Sequence, residues 1–253
     1  MLIIGLDGAT WKVIKPNLTK LPTFNKLCGE SNHKTIVVKD SLISASVWCS
    51  MFSGKPEEEH KHTNFIINNV VQERKDIKVD FIWDILSKKG IDIRALSIPL
   101  IYPPYNFNCD FTPIRNGLSQ ELSDIEIDLE RTTRKAIEIL KQKPDIFIVV
   151  YNMIDRMSHI HWGEKILLDF YQKIDRALEQ LIKFDDKIII ISDHGFCDWE
   201  ESKVHTLTKK TPKGKIIKGD HHPEAILITK NINYEINKPK DIFFSILEEC
   251  KTH

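Results

Sequence analysis

Six short runs of apolar and β-branched residues recur along the chain, separated by longer segments of mixed polarity. They predict β-strands at residues 2–6, 35–39, 92–98, 145–151, 187–192 and 225–229. In residues 146–150 and 188–191 every side chain is apolar, so the alternation of a half-exposed strand is missing. Strands of this kind are typical of a sheet that is covered by helices on both faces.

Helical periodicity occupies much of the chain between these strands. Apolar residues recur at three-to-four spacing over 125–140 and 167–181, which gives each segment one apolar stripe. A shorter helix is indicated at 81–86, ending near Gly90. Strands that alternate with helices predict an α/β fold, here a three-layer α/β/α sandwich with a mainly parallel central sheet.

Three segments lack a clear period and are predicted to be loops or short insertions. They cover residues 57–78, 101–118 and 198–220, and the third is rich in Lys and Thr. No internal repeat, low-complexity tract or linker divides the sequence. We therefore expect a single domain over residues 1–253.

The charge balance argues against some classes of partner. The 253 residues include 36 Lys and Arg and 36 Asp and Glu, a formal net charge of +0. Binding to a nucleic-acid polymer or an anionic membrane through bulk charge is therefore not expected. The sequence does not predict an oligomeric state.

Cysteine usage and hydropathy indicate a compartment. The five cysteines are scattered and form no CxxC pair, which favours reduced thiols over a disulfide framework. The apolar run at residues 2–6 is too short for a signal peptide. No stretch reaches the roughly 20 apolar residues of a membrane span. These features predict a cytoplasmic protein.

Reactive side chains follow three of the predicted strands. Asp7 follows the first, Asp155 lies a few residues after the fourth, and Asp193 and His194 come directly after the fifth. In open α/β sheets, ligand sites gather at the carboxyl ends of the strands. These residues, distant in sequence, are therefore expected to converge.

Two short motifs carry residue types that bind metals. Asp155 and His159 are four residues apart, which places both on one face of a helical turn. Asp193 and His194 are adjacent at a strand end, where Gly195 permits a break. A carboxylate and an imidazole can grip a divalent ion such as zinc. Each motif alone is equally consistent with a helix cap, a surface histidine or an Asx turn.

Two further pieces are ambiguous by themselves. The pair His221-His222 precedes the last predicted strand and could supply a ligand or simply belong to a polar loop. Asp7-Gly8 could be a ligand position or an ordinary turn. Together, however, the candidate side chains offer enough oxygen and nitrogen ligands for two metal ions.

A serine-rich segment offers a nucleophile. Ser41, Ser44 and Ser46 precede or begin a predicted helix, where a serine can cap the helix. A serine there can also act as a nucleophile, because helix N-terminal amides stabilise an anion. Spacing does not say which of the three would react.

The order and spacing of these pieces resemble the type I phosphodiesterase/nucleotide pyrophosphatase family of the alkaline phosphatase superfamily. The resemblance extends from Asp7 to His221, which is nearly the whole chain. It rests on five pieces: the strand that ends in Asp7; Ser44-Ala45-Ser46-Val47-Trp48, followed by Ser53-Gly54-Lys55-Pro56 and His60; Asp155 to His159, followed by Trp162; Ser192-Asp193-His194-Gly195; and Gly219-Asp220-His221.

This resemblance implies a set of roles. The fold would be alkaline phosphatase-like with a reduced cap, since the chain is short. Ser44 would be the nucleophile, and Asn64 would lie near the bound phosphate. The implied metal ligands are Asp155, His159 and His221 for one ion and Asp7, Asp193 and His194 for the other.

The implied activity is hydrolysis of phosphoesters through a phosphorylated Ser44 and two divalent metals. Three aspartates and three histidines suit zinc, with manganese as the alternative. No Arg lies close to Ser44 in sequence, and Arg156 is expected to point away from the site. We therefore predict phosphodiesters or pyrophosphate bonds, including those of nucleotides, as small-molecule substrates.

Departures from the family pattern bear on substrate choice and turnover. Ser46 replaces the usual Pro, Lys61-His62 replaces Gly-Ile, His222 stands where Arg is common, and Ala225 stands where Gly is common. The nearest rivals are a phosphomonoesterase or another hydrolase of the superfamily. From a different class, a non-catalytic metal- or phosphate-binding module is the alternative.

Overall fold

The computed structural model describes residues 1–39, 41–211 and 214–251. Its centre is a seven-stranded sheet in the order β2-β11-β8-β1-β7-β5-β6. The strands are β1 (Leu2–Leu6), β2 (Asn32–Val37), β3 (Ile66–Ile67), β4 (Val70–Val71), β5 (Ile93–Ile98), β6 (Tyr105–Phe107), β7 (Ile146–Tyr151), β8 (Ile188–Ile191), β9 (Gly195–Asp198), β10 (Gly219–His222) and β11 (Glu224–Lys230).

Helices flank this sheet. They are α1 (Trp11–Ile14), α2 (Pro22–Glu30), α3 (Ser44–Ser53), α4 (Glu57–His60), α5 (Ile82–Ser87), α6 (Leu122–Leu140), α7 (Met153–His161), α8 (Lys165–Leu181) and α9 (Asp241–Lys251). Short 3₁₀ turns cover Lys15–Lys20, Arg74–Asp76 and Ile114–Gly117. None of the helices in these described ranges is long and apolar enough to cross a membrane.

Parallel pairing dominates the middle of the sheet. Strand β1 pairs in parallel with both β7 and β8, and β5 pairs in parallel with β7. The outer strands are antiparallel: β11 to β8, β2 to β11 and β6 to β5. The carboxyl ends of β1, β7 and β8 therefore lie side by side at one edge.

Two hydrophobic layers cover the sheet, one on each face. Successive residues of β1 point to opposite sides, as the strand period requires. Ile4 packs in the layer built with α2, α6 and α8, whereas Ile3 packs in the layer built with α3, α5 and α9. The predicted three-layer α/β/α sandwich with a mainly parallel sheet is confirmed.

The six predicted strands match β1, β2, β5, β7, β8 and β11, with ends shifted by up to three residues. Five short strands lie outside the prediction. Strands β3 and β4 form a two-stranded hairpin, β6 adds an edge, and β9 pairs with β10. Most of their residues fall in segments predicted as loops, because runs of two to four residues carry too little periodicity. That the chain forms a single domain remains a prediction.

Gly5, in β1, leaves room for the side chain of Trp48 from α3. A Cβ atom at Gly5 would lie 2.6 Å from Cη2 of Trp48 and 2.7 Å from Cγ2 of Val150. Both contacts are shorter than van der Waals separation, so Gly5→Ala should lower the free energy of unfolding by about 1–3 kcal/mol. Urea unfolding measures this loss.

Gly29→Ala is the matched control for that substitution. Gly29 lies in α2, and a Cβ atom there would meet nothing within 4 Å. Alanine is favoured over glycine in a helix, so this variant should be unchanged or stabilised by up to about 1 kcal/mol. Equal losses in both variants would contradict the close packing of α3 against β1.

Candidate active site

The predicted reactive residues lie together at the carboxyl edge of the parallel strands. Asp7 follows β1, Asp155 lies in the first turn of α7 after β7, and Asp193 follows β8. The chain turns at Gly8, whose φ of +72° favours glycine. The Gly8 amide donates a hydrogen bond to Oδ1 of Asp193 over 3.2 Å, which ties two strand ends together.

Ser44 is the first residue of α3 and faces this cluster. Its Oγ lies 3.3 Å from Oδ1 of Asp7 and 3.3 Å from Nε2 of His194. The other two candidate serines are engaged elsewhere. Oγ of Ser41 accepts a hydrogen bond from the Ile43 amide, and Oγ of Ser46 donates to Glu57.

Asp7, Asp193 and His194 form the first group of potential metal ligands. Nε2 of His194 lies 3.5 Å from Oδ1 of Asp7 and 3.3 Å from Oδ2 of Asp193. All three side chains are buried. Their ligand atoms lie within 4.8 Å of one another, so they could hold one ion.

Asp155, His159 and His221 form the second group. Nε2 of His221 lies 3.0 Å from Oδ1 of Asp155 and 3.2 Å from Nε2 of His159. His159 and Asp155 are one turn apart on α7, with Nε2 3.3 Å from Oδ1. The two groups adjoin. Nε2 of His194 lies 4.0 Å from Oδ1 of Asp155, and the rings of His194 and His221 stack with their centroids 3.5 Å apart.

Backbone carbonyls orient all three imidazoles. Nδ1 of His159 lies 3.0 Å from the Gly219 carbonyl oxygen, and Nδ1 of His194 lies 2.9 Å from that of Gly195. Nδ1 of His221 lies 2.7 Å from the Leu42 carbonyl oxygen. A carbonyl can only accept, so each Nδ1 carries the proton, which leaves the Nε2 lone pair of a neutral ring directed into the site.

This arrangement places acceptors opposite acceptors. In the neutral rings, Nε2 of His159 and Nε2 of His221 both present lone pairs across 3.2 Å, next to the Asp155 carboxylate. Oδ2 of Asp193 is buried and has no hydrogen-bond partner among the described residues. Nitrogen and carboxylate ligands arranged in this way suit a divalent metal.

The pKa values of the three aspartates reflect the close packing of ionisable groups in this cluster. Burial, together with the charges of Asp193 and Asp155, raises the pKa of Asp7 well above its ordinary value. Burial, with the Asp155 charge adding to it, raises the pKa of Asp193 to about 6. Burial opposes ionisation of Asp155 too, but the neighbouring His159 and His221 hold its pKa well below the usual range.

The histidines differ among themselves. Burial, followed by the nearby charge of His221, holds the pKa of His194 well below its ordinary value. Burial also disfavours the charged form of His221, but its hydrogen bond and charge interaction with Asp155 raise its pKa overall. The neutral imidazole is the form that binds a metal, so the lowered pKa of His194 favours binding and the raised pKa of His221 lets protons compete for that ring.

Asp220 lies beside the second group and was not predicted as a ligand. Its carboxylate lies near His159 and His221. However, it already accepts hydrogen bonds from the Thr206 amide (3.0 Å), the Thr206 hydroxyl (2.5 Å) and the His221 amide (2.8 Å). Asp220 therefore fixes the loop beside His221.

The sequence of residues 1–244 matches the family described as type I phosphodiesterase/nucleotide pyrophosphatase. The chain belongs to this family. No curated protein sequence matches it significantly. As a type I phosphodiesterase/nucleotide pyrophosphatase relative, it is a phosphoester hydrolase of the alkaline phosphatase superfamily.

Solved structures share the fold of this phosphodiesterase-family chain. Murine ectonucleotide pyrophosphatase/phosphodiesterase 5 has 13% identity and a TM-score of 0.66, covering 99% of this chain and 95% of that one. An inactive variant of that protein in complex with AMP has 13% identity and a TM-score of 0.62, covering 98% and 94%.

A bacterial enzyme has the same fold. Phosphonoacetate hydrolase from Sinorhizobium meliloti 1021, in complex with phosphonoformate, has 13% identity and a TM-score of 0.58. The match covers 85% of this chain but only 58% of the hydrolase. At these identities the likeness to solved structures shows the fold alone.

A cavity of about 210 Å³ opens onto Ser44 in this member of the phosphodiesterase family. Asn64 lies in its wall, and its Oδ1 accepts a hydrogen bond from the Phe65 amide. Its role towards phosphate remains a prediction. The rings of Phe65 and Tyr102 stack at 4.2 Å and both line the cavity.

Sequence reasoning missed several of these wall residues. Phe65 and Tyr102 lie in segments predicted as insertions, and aromatic residues in otherwise polar segments were the available signal. Arg156 was expected to point away from the site. Arg156 is nevertheless one of the residues that line the cavity, together with Ser44 and Asp155.

His60 and His62 hold the segment after α3. Nδ1 of His60 accepts from the His62 amide, so its Nε2 donates to Oγ of Ser50 over 2.9 Å. Nε2 of His62 lies 2.8 Å from the Leu100 carbonyl oxygen. Burial, followed by the charge of His62, lowers the pKa of His60 to about 4. Both side chains therefore hold this segment in place.

Proposed function

We propose that the chain hydrolyses phosphodiester or pyrophosphate bonds with Ser44 as the nucleophile and two divalent metal ions as cofactors. One observation carries this proposal. Oγ of Ser44 lies 3.3 Å from both Asp7 and His194, at the edge of a cluster of six potential ligands. Zinc is the favoured metal, with manganese as the alternative.

The distances within the cluster support the two ligand sets that the resemblance implies. Asp7, Asp193 and His194 would hold the ion next to Ser44, and Asp155, His159 and His221 would hold the other. Bound divalent ions supply Lewis-acid stabilisation of the negative charge that develops on phosphoryl oxygens. The buried, unpaired Oδ2 of Asp193 and the facing Nε2 atoms support this assignment.

The protein residues would then act on the phosphoryl group. Oγ of Ser44 forms a bond to phosphorus while the bond from phosphorus to the leaving oxygen breaks, which gives a phosphorylated serine. Oγ of Ser44 lies next to Asp7 and His194, whose facing atoms would be occupied as metal ligands, so the serine proton would pass to water. The leaving oxygen takes a proton from water. A second water then attacks phosphorus and breaks its bond to Oγ of Ser44, which releases the other ester group as a phosphomonoester and restores the hydroxyl.

The stacked aromatic pair supports nucleotides as substrates. Phe65 and Tyr102 lie in the wall of the same cavity as Ser44. Nucleotide bases stack on aromatic side chains through their flat faces, whichever base is present. A nucleotide with its phosphate at Ser44 would be able to place its base against this pair.

Turnover of chromogenic esters tests the proposal. Protein stripped of metal is reloaded with zinc or manganese, and cleavage of bis(p-nitrophenyl) phosphate is compared with that of p-nitrophenyl phosphate. We expect metal-dependent cleavage that favours the diester. Two bound metals without turnover of either ester would favour the binding module, and faster cleavage of the monoester would favour a phosphomonoesterase.

Metal affinity should fall as the pH is lowered from 7 to 5. The pKa of Asp193 is raised to about 6, so this carboxylate takes up a proton in this range, and the raised pKa of His221 lets protons compete for that ring as well. Metals bind the deprotonated ligands, so each proton displaced costs about tenfold in affinity per pH unit. Equilibrium dialysis measures the change, and a pH-independent affinity would contradict these ligands.

A further inference from the structure

Arg156 is the one Lys or Arg among the described residues that line the active-site cavity. It follows Asp155 directly in α7, and its side chain is 10% exposed. A charged group so poorly hydrated must be held by specific partners. Its position in the wall shared with Ser44 places a cation within the substrate cavity.

Two partners fix the direction of the guanidinium group. Nη1 of Arg156 donates to Oδ2 of Asp128 over 3.2 Å, and Nε and Nη2 both donate to the Ser119 carbonyl oxygen. Asp128 is itself fully buried, and its Oδ1 accepts from the Ile114 amide over 2.7 Å. The side chain is therefore pre-organised before any ligand arrives.

The hydrogen bonds leave part of the fork available. A guanidinium has five N–H groups, and these contacts use one each on Nε, Nη1 and Nη2. One N–H on Nη1 and one on Nη2 have no partner in the described part of the chain. Two N–H groups on one planar fork match the spacing of two oxygens of a carboxylate, sulfonate or phosphoryl group.

The same contacts hold a strained turn in the cavity wall. Arg115, Asn116 and Gly117 all have positive φ, at 48°, 56° and 77°, and Gly117 lines the cavity. Such backbone persists only where its surroundings over-determine it, and it clusters at functional sites. Hydrogen bonds fix this turn on both sides, from the Ile114 amide to Asp128 and from Arg156 to the Ser119 carbonyl oxygen.

We propose that Arg156 binds a second anionic group of the substrate, separate from the phosphoryl group that reacts at Ser44. This assignment rests on the proposed function and narrows its substrates to phosphodiesters or pyrophosphates with an additional carboxylate-, sulfonate- or phosphoryl-type anion. Arg156 is then a specificity-determining residue, and Asp128 is a positioning residue that acts through it.

Two substrates that differ by one charge test the assignment. We would compare p-nitrophenyl propyl phosphate with p-nitrophenyl 2-sulfoethyl phosphate, which share the leaving group. Native protein should show a kcat/KM about ten- to a hundredfold higher for the sulfonate, the range of charge-assisted hydrogen bonds. In Arg156→Gln this preference should disappear, so that the two substrates give the same kcat/KM.

Matched variants separate substrate binding from fold. Glu126→Gln, two residues before Asp128 on α6, removes a half-buried ion pair with Lys173 and should keep the preference. Asp128→Asn should reduce the preference for the sulfonate, because the guanidinium of Arg156 loses its charged hydrogen-bond partner. If Arg156→Gln does not fold, Arg156→Lys replaces it: one ammonium cannot form two parallel bonds, so the preference should fall, and full retention would overturn the assignment.

A binding measurement keeps the inference separate from the proposed function. Calorimetry with propyl phosphate and 2-sulfoethyl phosphate should show tighter binding of the sulfonate to native protein and no difference in Arg156→Gln. If neither diester is cleaved, the proposed hydrolysis fails while this comparison still decides the role of Arg156. Equal losses for both ligands in Arg156→Gln, or no preference in native protein, would overturn the inference.

Discussion

Ser44→Ala is expected to lower kcat/KM for diesters by about 10⁴-fold while leaving the bound metal unchanged. The substitution removes the hydroxyl that lies 3.3 Å from Asp7 and His194 but none of the six potential ligands. Ser44 begins α3 without capping it, so alanine should preserve the helix. Steady-state kinetics measures the loss of kcat/KM, and mass spectrometry of the same samples measures the bound metal.

Ser46→Ala is the matched control, since Ser46 lies two residues further along the same helix. Its Oγ donates to Glu57 at the start of α4, away from the cluster. We expect turnover within about threefold of the native protein. Acid quenching during turnover should trap phosphate on Ser44 in the native protein and in Ser46→Ala. Native-like turnover of Ser44→Ala would rule out the nucleophile.

The sheet and its helices could be predicted because their signals are local. Strands β7 and β8 are uniformly apolar, and α8 carries one apolar stripe. Each of these elements can therefore be predicted from its own residues alone. The short strands β9 and β10 exist only as a pair. No local pattern could reveal them, and the sequence therefore placed His221 in a loop.

The candidate site was partly readable for the same reason. Asp155 and His159 are one helical turn apart, and Asp193-His194 follows a strong strand, so topology alone brings them to one edge. The choice among Ser41, Ser44 and Ser46 depended on the resemblance, because the direction of an Oγ is set by tertiary contacts. The direction of Arg156 likewise depends on Asp128, which is 28 residues away in sequence.

Asp193→Asn should change metal affinity and stability in opposite directions. Asparagine keeps the shape and can still accept from the Gly8 amide, but it removes the charge that would hold a divalent ion. We expect a fall in metal affinity and in kcat/KM of at least about a thousandfold. Dialysis against buffered zinc, together with the diester assay, measures both.

Without metal, the same variant should be more stable than the native protein above pH 6. Burial raises the pKa of Asp193 to about 6, so the folded state holds this proton more tightly than the unfolded state does. The native protein therefore loses stability as the pH rises from about 4 through 6, and a neutral amide side chain at this position avoids that loss. The expected gain at pH 8 is about 1–3 kcal/mol in urea unfolding.

Asp175→Asn gives the contrasting behaviour of a structural aspartate. Asp175 is equally buried on α8, but its two oxygens accept from the amides of Thr23 and Phe24 at 3.0 and 2.8 Å, which anchors the start of α2. Its substitution should cost about 1–3 kcal/mol of stability, because one buried amide loses its acceptor, and should leave metal affinity unchanged. If Asp193→Asn behaved like Asp175→Asn, Asp193 would be a structural residue, and the ion next to Ser44 would lose its central ligand.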